Sequence, residues 1–181
     1  MKNQTWLPAM GLLVITAGQL RAEDPAWFQA SLTPDIAVQS RTTLINGLSL
    51  NIWGENPQHG LTIGAVNGST GESSGFTWGL VNYSENYNGV QWGAINVNYT
   101  SYNGWQSGWV NVAESDFTGL QSAWIGNYAR SMKGLQVGAF NYTEHLNGVQ
   151  IGIVNVARNN DWFTDFPDRL ATGFPILNWS F

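Results

Sequence analysis

Asn147-Gly148-Val149-Gln150-Ile151-Gly152-Ile153-Val154-Asn155 decides the fold, because edited copies of it fill most of the chain. Gly134-Leu-Gln-Val-Gly-Ala-Phe-Asn141 and Gly89-Val-Gln-Trp-Gly-Ala-Ile-Asn96 are close copies, and Gly75-Phe-Thr-Trp-Gly-Leu-Val-Asn82 and Gly60-Leu-Thr-Ile-Gly-Ala-Val-Asn67 are looser ones. Gly104-Trp-Gln-Ser-Gly-Trp-Val-Asn111 and Gly119-Leu-Gln-Ser-Ala-Trp-Ile-Gly126 complete the array. The leading glycines stand at 60, 75, 89, 104, 119, 134 and 148, a period of 14 or 15 residues. At such a period each unit is one structural element and the array itself is the fold.

Each unit reads as a β-strand. Side chains alternate with period 2, and glycine at the first and fifth positions of nearly every unit argues against helix. Short clusters rich in Asn, Ser and Asp join the units, with the Asn88-Gly89 and Asn147-Gly148 turn signals among them. From Gly75 to Val156 the charged residues are confined to these connections. One side of the strands shows Trp78, Trp92, Trp105, Trp109, Trp124, Leu135 and Ile151, and the other Val81, Ile95, Val110, Ile125, Phe140 and Val154 around a band of Gln and Gly. A sheet with one wet face should carry charge on it. Both faces therefore read as buried.

The segment Phe174-Pro-Ile-Leu-Asn-Trp-Ser-Phe181 places Leu177, Trp179 and Phe181 in phase, as in the closing strand of bacterial outer-membrane barrels. Two further strands are expected at Val38–Ile45 and Leu48–Trp53. With the seven units and the closing strand they give about ten, an even number suited to a small antiparallel up-and-down β-barrel. In that reading Gln91, Gln106, Gln121, Gln136 and Gln150 point inward and bond to one another, and the longest connection, Arg158 to Thr172, lies outside the cell. The alternative is a β-solenoid with one coil per repeat. It would stack Asn67, Asn82, Asn96, Asn111, Asn141 and Asn155 into a ladder and bury Tyr87, Tyr102, Phe117, Met132 and Leu146 beside an apolar column. It would leave either the Trp or the Val/Ile column exposed.

Lys2, the apolar run Trp6–Ala17 and Ala22 read as a secretory signal over residues 1–22, too short an apolar stretch to span a membrane as a helix. Residues 23–36, with Pro25 and Pro34, read as a linker, and 37–181 as a single β-repeat domain. Only 10% of residues are charged, well under the ~25% usual for soluble proteins. The net charge of −5 excludes a basic nucleic-acid surface, and the lack of cysteine excludes disulfides and thiolate metal sites.

The array, from Gly47-Leu-Ser-Leu-Asn-Ile-Trp-Gly54 to Phe181, resembles the surface-repeat family of Gram-negative and spirochaete envelope proteins. Those proteins carry tandem Gly-Leu/Val-Gln-aliphatic-Gly-aliphatic-aliphatic-Asn units. The resemblance implies exported, surface-associated β-structure and supplies no catalytic or ligand-binding residues. Gly119–Gly126 departs from the pattern, with Ala123 for the second glycine and Gly126 for the asparagine.

The residues themselves offer little chemistry. His59 and His145 both lie in connections, and Glu144-His145 reads as a solvated turn with no nucleophile motif beside it. Gly68-Ser-Thr-Gly-Glu-Ser-Ser-Gly75 lacks the lysine of a phosphate loop and reads as a flexible loop. Asp161, Asp165 and Asp168 lack EF-hand spacing and read as a hydrated loop tip with Arg158 and Arg169. Trp162, Phe163 and Phe166 in the same loop either meet a partner or fold back on the domain. The sequence thus points to a structural or interaction protein of the bacterial outer membrane or cell surface, with a secreted or surface-attached β-solenoid binding module as the alternative and an outer-membrane enzyme as a minor one. Its expected contacts are outer-membrane lipid and a surface partner at loop 158–172, with no catalytic, cofactor or metal residues.

Overall fold

The computed structural model describes residues 24–181, so the expected signal segment lies outside the described residues. Strands β1 (Ala26–Thr33), β2 (Ile36–Ala37), β3 (Ile45–Asn56), β4 (Gln58–Ala157) and β5 (Gly173–Ser180) form one sheet in the order β2-β1-β3-β4-β5. The described residues contain no helix. β4 is 100 residues of unbroken β-structure and contains the whole array, including Gly68–Gly75, which is part of the sheet and not a flexible loop.

Direction of pairing follows from residue arithmetic. Antiparallel neighbours keep the sum of paired residue numbers constant, whereas parallel neighbours keep their difference constant. β3 meets the start of β4 as Gly47 with Gly60, Leu50 with Ile63 and Trp53 with Val66, a fixed difference of 13. β1 pairs with β3 in the same parallel sense, Ala30 lying beside Leu50. Farther along, Gln91 meets Gln106 and Asn96 meets Asn111, each 15 residues on, so neighbouring units run in one direction.

The sheet does not close into a barrel. Among the described residues, the antiparallel pairing expected between successive strands occurs between named strands at the two ends, β1 with β2 and β4 with β5, with one further antiparallel bridge from Arg169 to Ser180. Two further expectations are corrected. Residues 23–36, expected as a linker, contain β1, bracketed by Pro25 and Pro34, which suit an outer strand because neither has an N–H to leave unpaired. Val38–Ile45 is not a strand: after the two-residue β2 the chain bends, and pairing resumes only at Ile45.

Identical side chains stacked at strand spacing hold the units in register. Asn51, Asn67, Asn82, Asn96, Asn111, Asn127, Asn141 and Asn155 form one chain in which each Nδ2 donates to the next Oδ1 at 2.8–3.1 Å. Most of these Nδ2 groups also donate to a backbone carbonyl of the following unit, as Asn96 does to Ser107 at 2.9 Å. A second chain runs the other way, Gln150 donating to Gln136, on through Gln121 and Gln106, to Gln91 at 2.8–3.1 Å. Both columns are buried. Beside them Tyr87, Tyr102 and Phe117 stack with ring centres 5.6 and 4.9 Å apart, and Met132 and Leu146 continue the same buried cluster.

Gly104 shows why each unit begins with glycine. Its φ is +140°, and a Cβ there would sit on the Gly89 carbonyl oxygen of the neighbouring unit. In the aberrant unit the corner is one residue longer, so Asn127, not Gly126, takes the ladder position, bonded to Asn111 and Asn141 at 2.9 and 2.8 Å.

Replacing Asn96 with leucine removes the group between Asn82 and Asn111 and orphans buried partners on both sides. Each orphan costs ~1–3 kcal/mol, so N96L should lower unfolding stability by about 3 kcal/mol or more in urea titrations. Asn51 has one ladder neighbour and an Oδ1 without a partner, so N51L should cost clearly less.

Candidate functional site

With amides filling the interior, the apolar columns turn outward. Counting from each leading glycine, positions three, eight and ten point in, the last two shifted by one to Asn127 and Ala129 in the Gly119 unit, and positions two, four and six share the outer face of one strand segment, as period 2 requires. Position five points inward against the ladder. A Cβ on Gly93 would meet the Gly79 carbonyl oxygen and the amides of Asn82 and Asn96.

The outer face so formed is a broad uncharged surface. At positions two, four and six of the seven units the residues are aliphatic, aromatic or alanine, except for Ser107 and Ser122. Trp78 and Trp109 are 55% and 61% exposed, and Trp124 reaches 83%. The face continues onto β3 through Leu50 and Ile52 and onto β5 through Leu177, which pairs with Ile151. Its relief is uneven. Trp78 and Trp92 stand on the position-four side of two adjacent units, and Trp109 and Trp124 on the position-six side of the next two; a hollow floored by Gly79, Gly93 and Gly108 lies between them. A second recess, of about 660 Å³, lies at the N-terminal end under Ile36 and Val38, with Ala30, Leu50 and Ile63 in its lining.

Sequence reading had both columns hidden. Period 2 says which residues share a side but not which side is inside. The Gln column, expected to point inward, does so: uncharged amides spaced at the repeat satisfy one another and fill a core.

The sequence-derived candidates do not converge. His59 Nδ1 lies 2.6 Å from Ser74 Oγ at a corner of β4, and His145 is exposed far along the same strand. Glu144 accepts a hydrogen bond from Tyr128 at 3.2 Å, and Arg169 meets Asp165 at 3.7 Å in the exposed loop. No group of three His or carboxylate residues able to hold a metal occurs among the described residues. In loop 158–172, Trp162, Phe163 and Phe166 remain exposed, yet two of them touch the last strand: Phe163 meets Phe174 edge-on at 6.0 Å and Phe166 lies 6.3 Å from Trp179. Phe181 is exposed, its N–H bonded to the Asp168 carbonyl.

Compared with protein-family models, curated proteins and solved structures, the chain matches none.

Among ionisable groups the buried tyrosines stand out. Burial pushes the Tyr87 phenol from 10.0 to about 12, against the lowering effect of its bond to Thr77, and raises Tyr102 as well. Below pH 10 folded and unfolded chains both keep these protons. Above it the unfolded chain releases protons that the fold retains until about pH 12, so stability falls as pH rises across that window. The melting temperature should be level up to pH 9.5 or so and then drop steeply from ~10 to ~12. Y87F should soften the drop.

Proposed function

We propose that the chain is a β-solenoid, one coil per repeat, serving as a non-catalytic interaction module of the bacterial cell envelope. The single observation that carries this reading is the constant residue difference between stacked units, joined to an uncharged outer face along their whole length. Parallel coils with satisfied amide ladders make a rigid rod, and such rods use extended lateral surfaces to bind. The charged residues lie at the turns, away from that face, where they keep the opposite edge in water. Export rests on Lys2 and the apolar run Trp6–Ala17, and envelope location on the resemblance of the repeats to surface-repeat units. No convergent nucleophile, acid–base pair or metal cluster among the described residues supports an enzymatic alternative.

Fractionation of cells expressing the whole chain tests the reading. Folded protein should be recovered from a periplasmic or culture extract without detergent and migrate identically on gels whether or not it is heated. A requirement for detergent together with heat-modifiable migration would instead identify a membrane-spanning barrel.

A further inference from the structure

We infer that the uncharged face is a homodimer interface, formed by two copies related by a two-fold axis that lies in the interface and parallel to the strands. The inference rests on the parallel-coil reading above. Leaving aside the two-residue β2 at the outer edge of β1, the strands β1, β3, the seven repeat units and β5 make ten layers, with their midpoint between the units that begin at Gly89 and Gly104. A two-fold axis along the strands reverses the order of layers and preserves the position within each strand. Placed at the midpoint, it sets the fifth layer of one copy against the sixth of the other, and the fourth against the seventh.

The relief of the face fits that operation. At position four, Trp92 comes opposite Ser107 and Trp78 opposite Ser122. At position six, Trp109 comes opposite Ala94 and Trp124 opposite Leu80. Each indole therefore meets a smaller side chain, and the two serines that interrupt the apolar columns stand where a partner's indole needs room. The hollow between the four indoles lies across the axis, open to the partner's four. The ends match as well: Leu177 on β5, which pairs with Ile151 on this face, comes opposite Ala30 in the lining of the recess under Ile36 and Val38 of the other copy. The other two-fold axis in the interface plane, along the stack, would instead keep the layers aligned and set Trp78 against Trp78.

Size and charge agree with this occupant. Ten layers ~4.8 Å apart and a face roughly 18 Å wide give about 800 Å² per copy, the amount a stable dimer buries on each side. A face without ions can meet its own copy with no like-charge repulsion, and isologous contacts require such self-complementarity. The strands of the two sheets stay aligned, within the ordinary range of face-to-face sheet packing.

The test is a size swap at one pair, read by sedimentation equilibrium of the whole chain in detergent-free buffer, with circular dichroism to confirm β-structure in each variant. Wild type should sediment as a dimer. S107W places two indoles face to face and should raise the dimer dissociation constant by about tenfold or more. W92S/S107W exchanges large for small within the pair and should restore the dimer. A wild-type monomer, an S107W dimer as tight as wild type, or a double variant as weak as S107W would overturn the proposal. So would wild-type chain that floats with phosphatidylcholine vesicles and forms no dimer without them, an outcome that assigns the face to lipid. Heat-modifiable, detergent-requiring protein would defeat the solenoid reading itself and is distinguishable from all of these.

Discussion

Amide-to-amide stacking is the constraint from which the rest of this molecule follows. A buried side-chain amide has two donors and an acceptor to satisfy, and a neighbour of the same kind at strand spacing satisfies them in line. That works only if successive units carry the same residue at the same height. The chain accordingly keeps Asn at one inward position through seven layers, with Asn51 joining from beside Gly64 at the end, and Gln at another through five. Register is thereby fixed twice over, by the backbone ladder and by these columns, and a slip of one residue would break every bond in both. Leading glycines serve the same end, since only a residue without Cβ tolerates the close approach of the next carbonyl.

The two columns point in opposite senses. Asn amides donate toward the C-terminal end of the stack and Gln amides toward the N-terminal end. Aligned amide chains polarise one another, and opposing senses offset the dipoles that either column would build alone. Within the two columns the unsatisfied atoms fall where the columns stop: Asn51 Oδ1 at one end of the Asn chain, Gln91 Nε2 and Gln150 Oε1 at the two ends of the Gln chain. At the Gln91 end the column gives way to Thr77, whose hydroxyl is engaged with Tyr87. Within these two columns each interior unit satisfies its neighbours and the unmet demand belongs to the ends, as expected of a one-dimensional array, whereas Asn98 Oδ1, off both columns in the middle of the array, has no partner.

Much of this was legible from residues alone. The period was plain from the glycines, the Gln–Gln bonds were expected from the repeat of Gln91 to Gln150, and the asparagine ladder and buried Tyr87-to-Leu146 column were expected for parallel stacking. Three features were not legible, each for a physical reason. Antiparallel and parallel stacking of a one-strand repeat give the same alternation, so direction could not be read from period 2. The Gln side was read as inward, but the exposure of the Trp column was not, because a strand face without charge ordinarily marks a covered surface. Asn127 was hidden by a one-residue insertion at the corner: counting from Gly119 puts Gly126 at the ladder position, while the structure shifts the corner and keeps the ladder.

An amide-filled core has a consequence for the outside. The chain is 43% hydrophobic by composition, and the interior takes up little of that: one aromatic and aliphatic column and a few alanines. The remaining aliphatic and indole groups have nowhere to go but the outer face of the strands. Charge cannot dilute them there without interrupting the uniform columns, and it collects at the turns instead. A repeat that satisfies its interior with Gln and Asn therefore makes an amphipathic stack of strands, greasy along one side by construction. Apolar surface of that extent is driven out of water at ~25 cal/mol per Å², which favours any arrangement that covers it. The serines at 107 and 122 are the informative exceptions, because random dilution of the face would have scattered polar residues over many positions. They stand together, in one column, in the half of the face that the tryptophans at 78 and 92 leave empty. A surface shaped only to lie against fluid hydrocarbon has no use for that correspondence, whereas a surface that meets its own image requires it.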